Sequence, residues 1–430
     1  MANITDSIRA RLFAARAVQS VLNQQMPLEQ ALAVQEGFAA LDPRDRAFAR
    51  LISATTFRRM GQIDAALKPH LRKLPPLDVY CALRTATAQI LFLETPAHAA
   101  VGETVEVVRA MKKDGFANMV NAVLRKVAAT GKRDAQRLPP KANIPGWLRG
   151  SWEKAYGAQA MRRTASQLAK DPPLDISVKS DPENWAERLG GTLLPTGSVR
   201  LDQIGDVTAL EGFAEGAWWA QDVAASLPVK MMDISPGARV LDLCAAPGGK
   251  TLQLAALGAD VTSVDISEAR LSRLRENLQR TGLKAQIIAA DVLDWEPDAP
   301  FDAVLLDAPC TATGTLRRHP DVLYNKTPKT LSQLVKLQRC LLARAADWVK
   351  PGGQLLYAVC SLQPEEGLPQ VTRLLGERPD FRLNPNLTTN VSKLPEGVFA
   401  DGCLRSMPHH LADQGGMDGF FAARLERIAG

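Results

Sequence analysis

The chain is poor in the residues that build metal and disulfide sites. Six cysteines occur in 430 residues, at 81, 244, 310, 340, 360 and 403, and no two have CxxC spacing. A chain this long needs no disulfide framework, so they read as reduced thiols. Five histidines, none in HxxxH spacing, argue against a protein-built metal site, and no bound metal is expected. No apolar run reaches the roughly 18 residues of a membrane-spanning helix. The opening stretch MANITDSIRARLFAARAVQ is amphipathic and lacks the continuous apolar core of a secretory signal. A cytoplasmic protein with no membrane partner is expected. What remains is ordinary: 46% hydrophobic and 23% charged residues exclude collagen-like and mostly disordered chains. The length corresponds to two to four domains.

Charge is unevenly spread. Residues 1–138 hold 20 Lys/Arg against 12 Asp/Glu, a net of +8, within a total of +6. The rest therefore sums to −2. A basic module joined to a near-neutral body fits a nucleic-acid grip, and equally a solvated helical face.

The pattern along the chain predicts three parts: 1–138, 139–230 and 231–430. Apolar residues recur at helical spacing in IRARLFAARAVQSVL, RAFARLISATTFRRM and VYCALRTATAQILFL. Residues 5–130 thus read as an all-α domain of six or seven helices. Residues 131–150 carry Gly, Pro and charge and read as a linker. Residues 151–230 read as mixed, with a helix near 151–169, a strand at LDISVKS and turns up to SVRLDQ. From 236, short apolar runs alternate with helical stretches: ARVLDLCA, DVTSVDI, AQIIAADV, FDAVLLDAP and GQLLYAVCS, with GFFAARLERI last. That alternation predicts a doubly wound α/β sheet with buried parallel strands.

Chemistry-bearing residues gather at the ends of these strands. In VLDLCAAPGGKT (240–251) a strand runs into Pro247-Gly248-Gly249 and a helix opens at Lys250. Glycines there let backbone approach a ligand, and a helix start offers free N–H donors. The spacing is neither GxGxxG nor GxxxxGK[ST], which disfavours a dinucleotide site and a phosphate loop. Asp265, Asp291 and Asp307 close the second, third and fourth strands, at the sheet edge where open α/β folds bind ligands. One such Asp is usually a turn former; three in phase with a glycine turn are expected to line one pocket. Cys310 and Cys360 follow the fourth and fifth strands, and both thiols are expected in that crevice. Cys244 sits inside the glycine turn, where packing is the simpler reading.

Together DLCAAPGGKT (242–251), Asp265, Asp291, DAPCTATG (307–314), RRHPD (317–321) and CSLQPEE (360–366) resemble the RNA cytosine-C5 methyltransferases. AWWAQDVAASL, MPHH and DGFFAARL add to the likeness, which covers about 140 to 428. The stretch 95–127 resembles the end of a NusB-like RNA-binding domain, a fusion typical of the RsmB (Sun/Fmu) family acting on small-subunit (16S) ribosomal RNA. The resemblance implies an all-α NusB-like domain, a small α+β linker subdomain and a Rossmann-like methyltransferase domain. It implies S-adenosylmethionine as cofactor, held by Cys244, Ala245, Ala246, Pro247, Gly248, Gly249 and Lys250. Asp265 would take the ribose and Asp291 the adenine edge. Asp307 would lie near the methyl donor and contact the N3 side of the base. It implies Cys360 as the nucleophile adding to cytosine C6, and Cys310 as the helper in proton removal and release. DNA cytosine methyltransferases instead use the Pro-Cys after the fourth strand, which makes Cys310 the rival nucleophile. Arg317, Arg318 and His319 are candidate RNA contacts, and Lys250 a candidate phosphate contact.

Two departures from the family pattern bear on substrate preference more than on catalysis, Val359 where Thr is usual and Gly367 where Asn is frequent; VLYNKT after RRHPD also departs slightly. The expected partner is ribosomal RNA presenting a single-stranded or flipped-out cytosine, bound by a monomer. Two alternatives stay open: a transfer-RNA cytosine-C5 methyltransferase, and a non-catalytic RNA-binding factor with a degenerate methyltransferase fold.

Overall fold

The computed structural model describes residues 5–202, 205–384, 394–395, 397–400 and 402–429. Gln203, the last residue of the expected turn segment SVRLDQ, lies outside them. The chain forms two compact units: Met1–Lys170 with Leu316–Thr327, and Asp171–Thr315 with Pro328–Gly430.

The first unit is helical. Seven α-helices cover Asp6–Gln24, Leu28–Ala33, Pro43–Arg58, Met60–Leu67, Leu77–Phe92, Ala97–Ala110 and Ala117–Lys126. Asp42 shows how one of them starts: its carboxylate accepts the Arg44 N–H at 2.9 Å, and Pro43 occupies the first helical position. The apolar stripes read from the sequence meet inside, with Phe13, Leu32, Ile52 and Phe57 in one cluster and Ile63, Leu83 and Leu124 in another. Residues 131–150 are not a free linker. Helix Lys132–Gln136 and the turn Pro140–Asn143 pack onto Met60–Leu67. Asn143 Oδ1 accepts the Gln62 N–H at 3.0 Å, and Gln62 Nε2 donates to the Ala135 carbonyl at 3.2 Å. Polar residues read as solvated linker here satisfy each other inside. The helix Gly146–Leu168 follows, interrupted at Gly157 (φ 82°, ψ 157°).

The segment Leu316–Thr327, which carries RRHPD, belongs to this helical unit. The buried Asp321 carboxylate accepts the Leu28 N–H at 3.0 Å, and Arg58 Nη2 donates to the Arg317 carbonyl at 2.9 Å. Tyr324 donates to the Asn143 carbonyl at 3.0 Å.

The second unit has two sheets. The smaller is antiparallel, β1 (Leu174–Val178), β2 (Thr192–Leu193), β3 (Val199–Leu201) and β4 (Trp218–Ala220), in the order β2-β3-β1-β4. The larger contains β5 (Arg239–Leu243), β6 (Asp260–Asp265), β7 (Gln286–Ala289), β8 (Phe301–Asp307), β9 (Val349–Val359), β10 (Phe381–Leu383), β11 (Phe399–Ala400), β12 (Cys403–Ser406) and β13 (Phe420–Arg427). Its order is β11-β12-β13-β9-β8-β5-β6-β7, with β10 also pairing β13. β5 to β9 run parallel, and β13 returns antiparallel to β9. The parallel strands are buried on both faces: Val304 and Leu306 join one core cluster, Ala303 and Leu305 the other. That explains their unbroken apolar runs. The chain steps outward from β5 through β6 to β7, then crosses back to β8. The switch point therefore falls between β5 and β8, where such sheets bind ligands.

Candidate active site

The glycine turn leaves β5 at this switch point. Cys244 takes a left-handed backbone (φ 59°), and so does Ala312 in the loop after β8 (φ 56°). Each costs about 1–2 kcal/mol for a residue with a side chain, and such strain persists where the surroundings enforce it. Gly248 caps the helix Gly249–Ala256 with φ 105°, and a Cβ there would sit 2.2 Å from Leu274 Cδ1. No larger residue fits, so the turn lies close against the neighbouring helix. Asp265, at the end of β6, is buried; its Oδ2 accepts the Ala246 N–H at 3.1 Å and its Oδ1 the Ser267 N–H at 2.9 Å. Arg270 Nη2 donates to the Ala246 carbonyl, with Nη1 3.6 Å from Asp265. Asp291 follows β7, and its Oδ1 accepts the Leu293 N–H at 2.9 Å.

Asp307 ends β8. Its Oδ2 is 2.6 Å from Lys250 Nζ, which also lies 5.0 Å from the centre of the Phe420 ring. Lys250 is buried and turned toward Asp307, which replaces its reading as a phosphate contact. Behind the turn, the fully buried Asp242 accepts the Thr251 hydroxyl at 2.6 Å, and its Oδ1 has no hydrogen-bond partner among the described residues. Burial pushes its carboxyl up to about 7.

The two cysteines meet: Cys310 Sγ and Cys360 Sγ are 3.4 Å apart. The hydrogen bond to Cys360, then burial, then the charges of Cys360 and Glu366 raise the Cys310 thiol well above its ordinary range. Cys310 therefore keeps its proton. Burial likewise raises the Cys244 thiol. The carboxylate of Glu366 lies beneath both cysteine turns, fully buried and hydrogen-bonded to Thr311, Ser361 and Gln338.

Residues 244–250, Asp265, Asp307, Cys310 and Cys360 thus gather along the carboxyl edge of one sheet, with Asp291 just beyond β7. Arg317, Arg318 and His319 belong to the helical unit instead. Arg318 and His319 are exposed, but Arg317 is 1% exposed. Its reading as a surface RNA contact gives way to packing. Sequence reading missed Glu366, Asp242, Arg270 and Phe420. Asp242, Glu366 and Phe420 lie within the family-like motifs, yet only the fold shows what each does at the site.

The fold and the site define a two-part protein: a NusB-type helical domain followed by a Rossmann-like methyltransferase. Residues 229–426 match the family described as 16S rRNA methyltransferase RsmB/F, and residues 8–129 match the NusB family. Ribosomal RNA small subunit methyltransferase B of Xanthomonas campestris pv. campestris is 37% identical over 399 residues, 88% of this chain and 90% of that protein. The protein of the same description from Pseudomonas syringae pv. tomato is 34% identical over 445 residues, covering 97% of both chains. The crystal structure of PH0851 superposes with a TM-score of 0.77 at 25% identity, covering 98% of each chain. The chain belongs to the ribosomal RNA small subunit methyltransferase B family. Among the described residues, no helix is long and apolar enough to cross a membrane.

Proposed function

We propose that this protein transfers a methyl group from S-adenosylmethionine to C5 of a cytosine in small-subunit ribosomal RNA, through a covalent bond between Cys360 and C6. The observation that carries the reading is the pair of thiols 3.4 Å apart beyond β8 and β9, at the carboxyl edge of the sheet next to the switch point.

The residues present fit the cofactor. Gly248, in the left-handed region with its Cβ position 2.2 Å from Leu274 Cδ1, holds the turn against the neighbouring helix, and the helix start after it has no side-chain cap among the described residues. Each Asp265 oxygen takes one backbone N–H and keeps a lone pair for a ribose hydroxyl. Asp291 stands beyond the next strand for the adenine edge. When bound, S-adenosylmethionine supplies an electrophilic methyl group on a sulfonium sulfur.

Cytosine C5 is too weak a nucleophile to accept that methyl unaided. The Cys360 thiolate adds to C6, and the electron pair of the C5–C6 double bond moves toward C5. Asp307, held by Lys250, lies on the N3 side of the ring and orients the base, while the Lys250 cation paired with it offsets the negative charge developing there. C5 then takes the methyl group. A base removes the C5 proton, the double bond reforms, and the C6–sulfur bond breaks to return Cys360 as thiolate. The electrostatics suit Cys310 to the base role at that moment. Its hydrogen bond to Cys360 is the largest influence holding its proton. Once the Cys360 sulfur is bonded to C6 that influence weakens, Cys310 gives its proton to water, and the resulting thiolate takes the C5 proton. Before addition, the two sulfurs lie within hydrogen-bond distance of each other.

Radiolabelled S-adenosylmethionine is offered with unmodified small-subunit ribosomal RNA or with transfer RNA, and the nucleosides are then resolved. Label in 5-methylcytidine from the ribosomal pool is expected. Label confined to transfer RNA overturns the substrate, and label in another nucleoside overturns the chemistry. Cys360→Ala abolishes transfer while cofactor binding persists. Cys310→Ala accumulates a protein–RNA adduct; a folded, cofactor-binding variant that traps none removes Cys310 from the release step.

A further inference from the structure

Glu366 ends the turn Pro364–Glu366 after Cys360 and is fully buried. The four hydrogen bonds its carboxylate accepts divide by type of donor. Oε1 accepts two N–H groups, the Thr311 backbone at 2.9 Å and Gln338 Nε2 at 2.9 Å. Oε2 accepts two hydroxyls, Thr311 Oγ1 at 2.5 Å and Ser361 Oγ. Thr311 is the residue after Cys310, and Ser361 is the residue after Cys360. Gln338 Nε2 also donates to the Pro309 carbonyl at 2.9 Å, just before Cys310. One carboxylate thus ties together both thiol-bearing turns, which leave different strands and are 50 residues apart in sequence. It touches neither sulfur directly.

We propose that Glu366 is the positioning residue that holds the Cys310 and Cys360 sulfurs within transfer distance, and that it does so by the reach of its side chain rather than by its charge. The role rests on the cysteine chemistry proposed above. The division of donors makes reach and charge separable. In Glu366→Gln the retained oxygen can serve both N–H donors, while the new NH2 faces two hydroxyls that rotate to accept. In Glu366→Asp the charge remains, but the carboxylate is withdrawn by one carbon–carbon bond, about 1.5 Å. Bonds of 2.5 to 2.9 Å cannot survive that retreat unless the turns move.

The test uses the full chain as wild type, E366Q and E366D, each checked for folding by circular dichroism. The first readout needs no RNA. Diamide takes two electrons and two protons from a thiol pair, its N=N bond becoming a hydrazine as the disulfide forms. The rate of the Cys310–Cys360 disulfide, identified by peptide mass, reports how often the sulfurs meet. The second readout is kcat and KM for methylation of unmodified small-subunit ribosomal RNA. Misplacement by about 1 Å costs on the order of a hundredfold in rate. E366D is therefore expected to lose about tenfold to a hundredfold in disulfide rate and in kcat, with KM for RNA within about threefold. E366Q is expected to exceed E366D by about tenfold or more in both. Wild-type behaviour of E366D, or a loss in E366Q equal to that in E366D, overturns the proposal. If wild type methylates no RNA yet the disulfide rates keep this order, the reaction assignment falls and the positioning role stands.

Discussion

Gly314 tests whether the loop after β8 is as tightly seated as the geometry implies. Its N–H donates to the Cys360 carbonyl at 3.0 Å, and its carbonyl accepts the Gly419 N–H at 2.9 Å. The backbone at Gly314 lies outside the left-handed region, so alanine meets no conformational penalty there. The obstacle is space: a Cβ would lie 1.7 Å from the Gly419 oxygen and 2.9 Å from the Cys360 oxygen, where real Cβ contacts stay beyond 3.0 Å. The start of β13 or the cysteine turn must therefore retreat by more than about 1 Å, a displacement of the size that costs on the order of a hundredfold in rate. Overpacking of this kind also costs about 1–3 kcal/mol of stability. Gly314→Ala is expected to unfold at lower urea and to lose about a hundredfold in single-turnover methyl transfer, with S-adenosylmethionine affinity nearly kept. A folded variant within about threefold of the wild-type rate would refute the reasoning, because the thiol turn would then tolerate the displacement.

Gly102, inside the helix Ala97–Ala110, is the opposite case: a Cβ there meets nothing within 4 Å among the described residues. Gly102→Ala is expected to stabilise by about 0.8–1 kcal/mol in urea unfolding; a destabilised variant would show that the helix face is not open. Arg200 pairs bidentately with Asp175 at 2.7 Å, both nearly fully buried, and also donates to the Gln414 carbonyl at 2.6 Å. Arg200→Met strands a buried carboxylate and should cost about 3–5 kcal/mol, with part recovered by adding Asp175→Asn; a loss below about 1 kcal/mol contradicts this. Asp242 keeps its proton in the folded state to about pH 7, whereas its ordinary value is 3.8. Its contribution is complete below pH 4 and is lost as pH rises through 7, so Asp242→Asn should gain a few kcal/mol on wild type between pH 4 and 8. A wild-type-to-variant difference independent of pH would refute the protonated state.

The longer N-terminal helices were legible because IRARLFAARAVQSVL, RAFARLISATTFRRM and VYCALRTATAQILFL carry apolar stripes long enough to show their period, which the six-residue Leu28–Ala33 does not. The parallel strands were legible because burial on both faces leaves unbroken apolar runs such as AVLLD. Strands β10 to β12 were not, since two to four residues carry no period. Residues 131–150 misled because Gly, Pro and charge mark a solvated linker only when no neighbour satisfies them, and Gln62 does. Arg317 misled in the same way. The motif RRHPD reads as a basic loop following the catalytic strand, but the anchor that assigns it to the helical unit is the contact between Asp321 and the Leu28 N–H, 293 residues away in sequence. No local pattern reports a hydrogen bond at that range. The three acids and two cysteines were legible because strand ends are read from strand interiors. Glu366 was not, because it matters through what converges on it.

That difference bears on how the site keeps its geometry. Cys310 lies three residues beyond Asp307, and Cys360 two beyond Ala358, the residue that Asp307 faces across the β8–β9 ladder. The Ala308 N–H extends the ladder by donating to the Ala358 carbonyl at 2.9 Å. A slip of one residue would shift the turns by about 3.3 Å and turn every side chain to the other face. Here such a slip would move Leu305 and Leu306 out of their separate cores. The coarse separation of the thiols is therefore set by burial across the whole sheet, which resists local opening. The ladder ends before either sulfur, so it cannot set their final approach. That last distance falls to the hydrogen bonds beyond the strands, with Glu366 at their centre. A site built this way separates two tolerances: core substitutions that keep register should spare the thiol pair, while small changes in the turns around Thr311 and Ser361 should not.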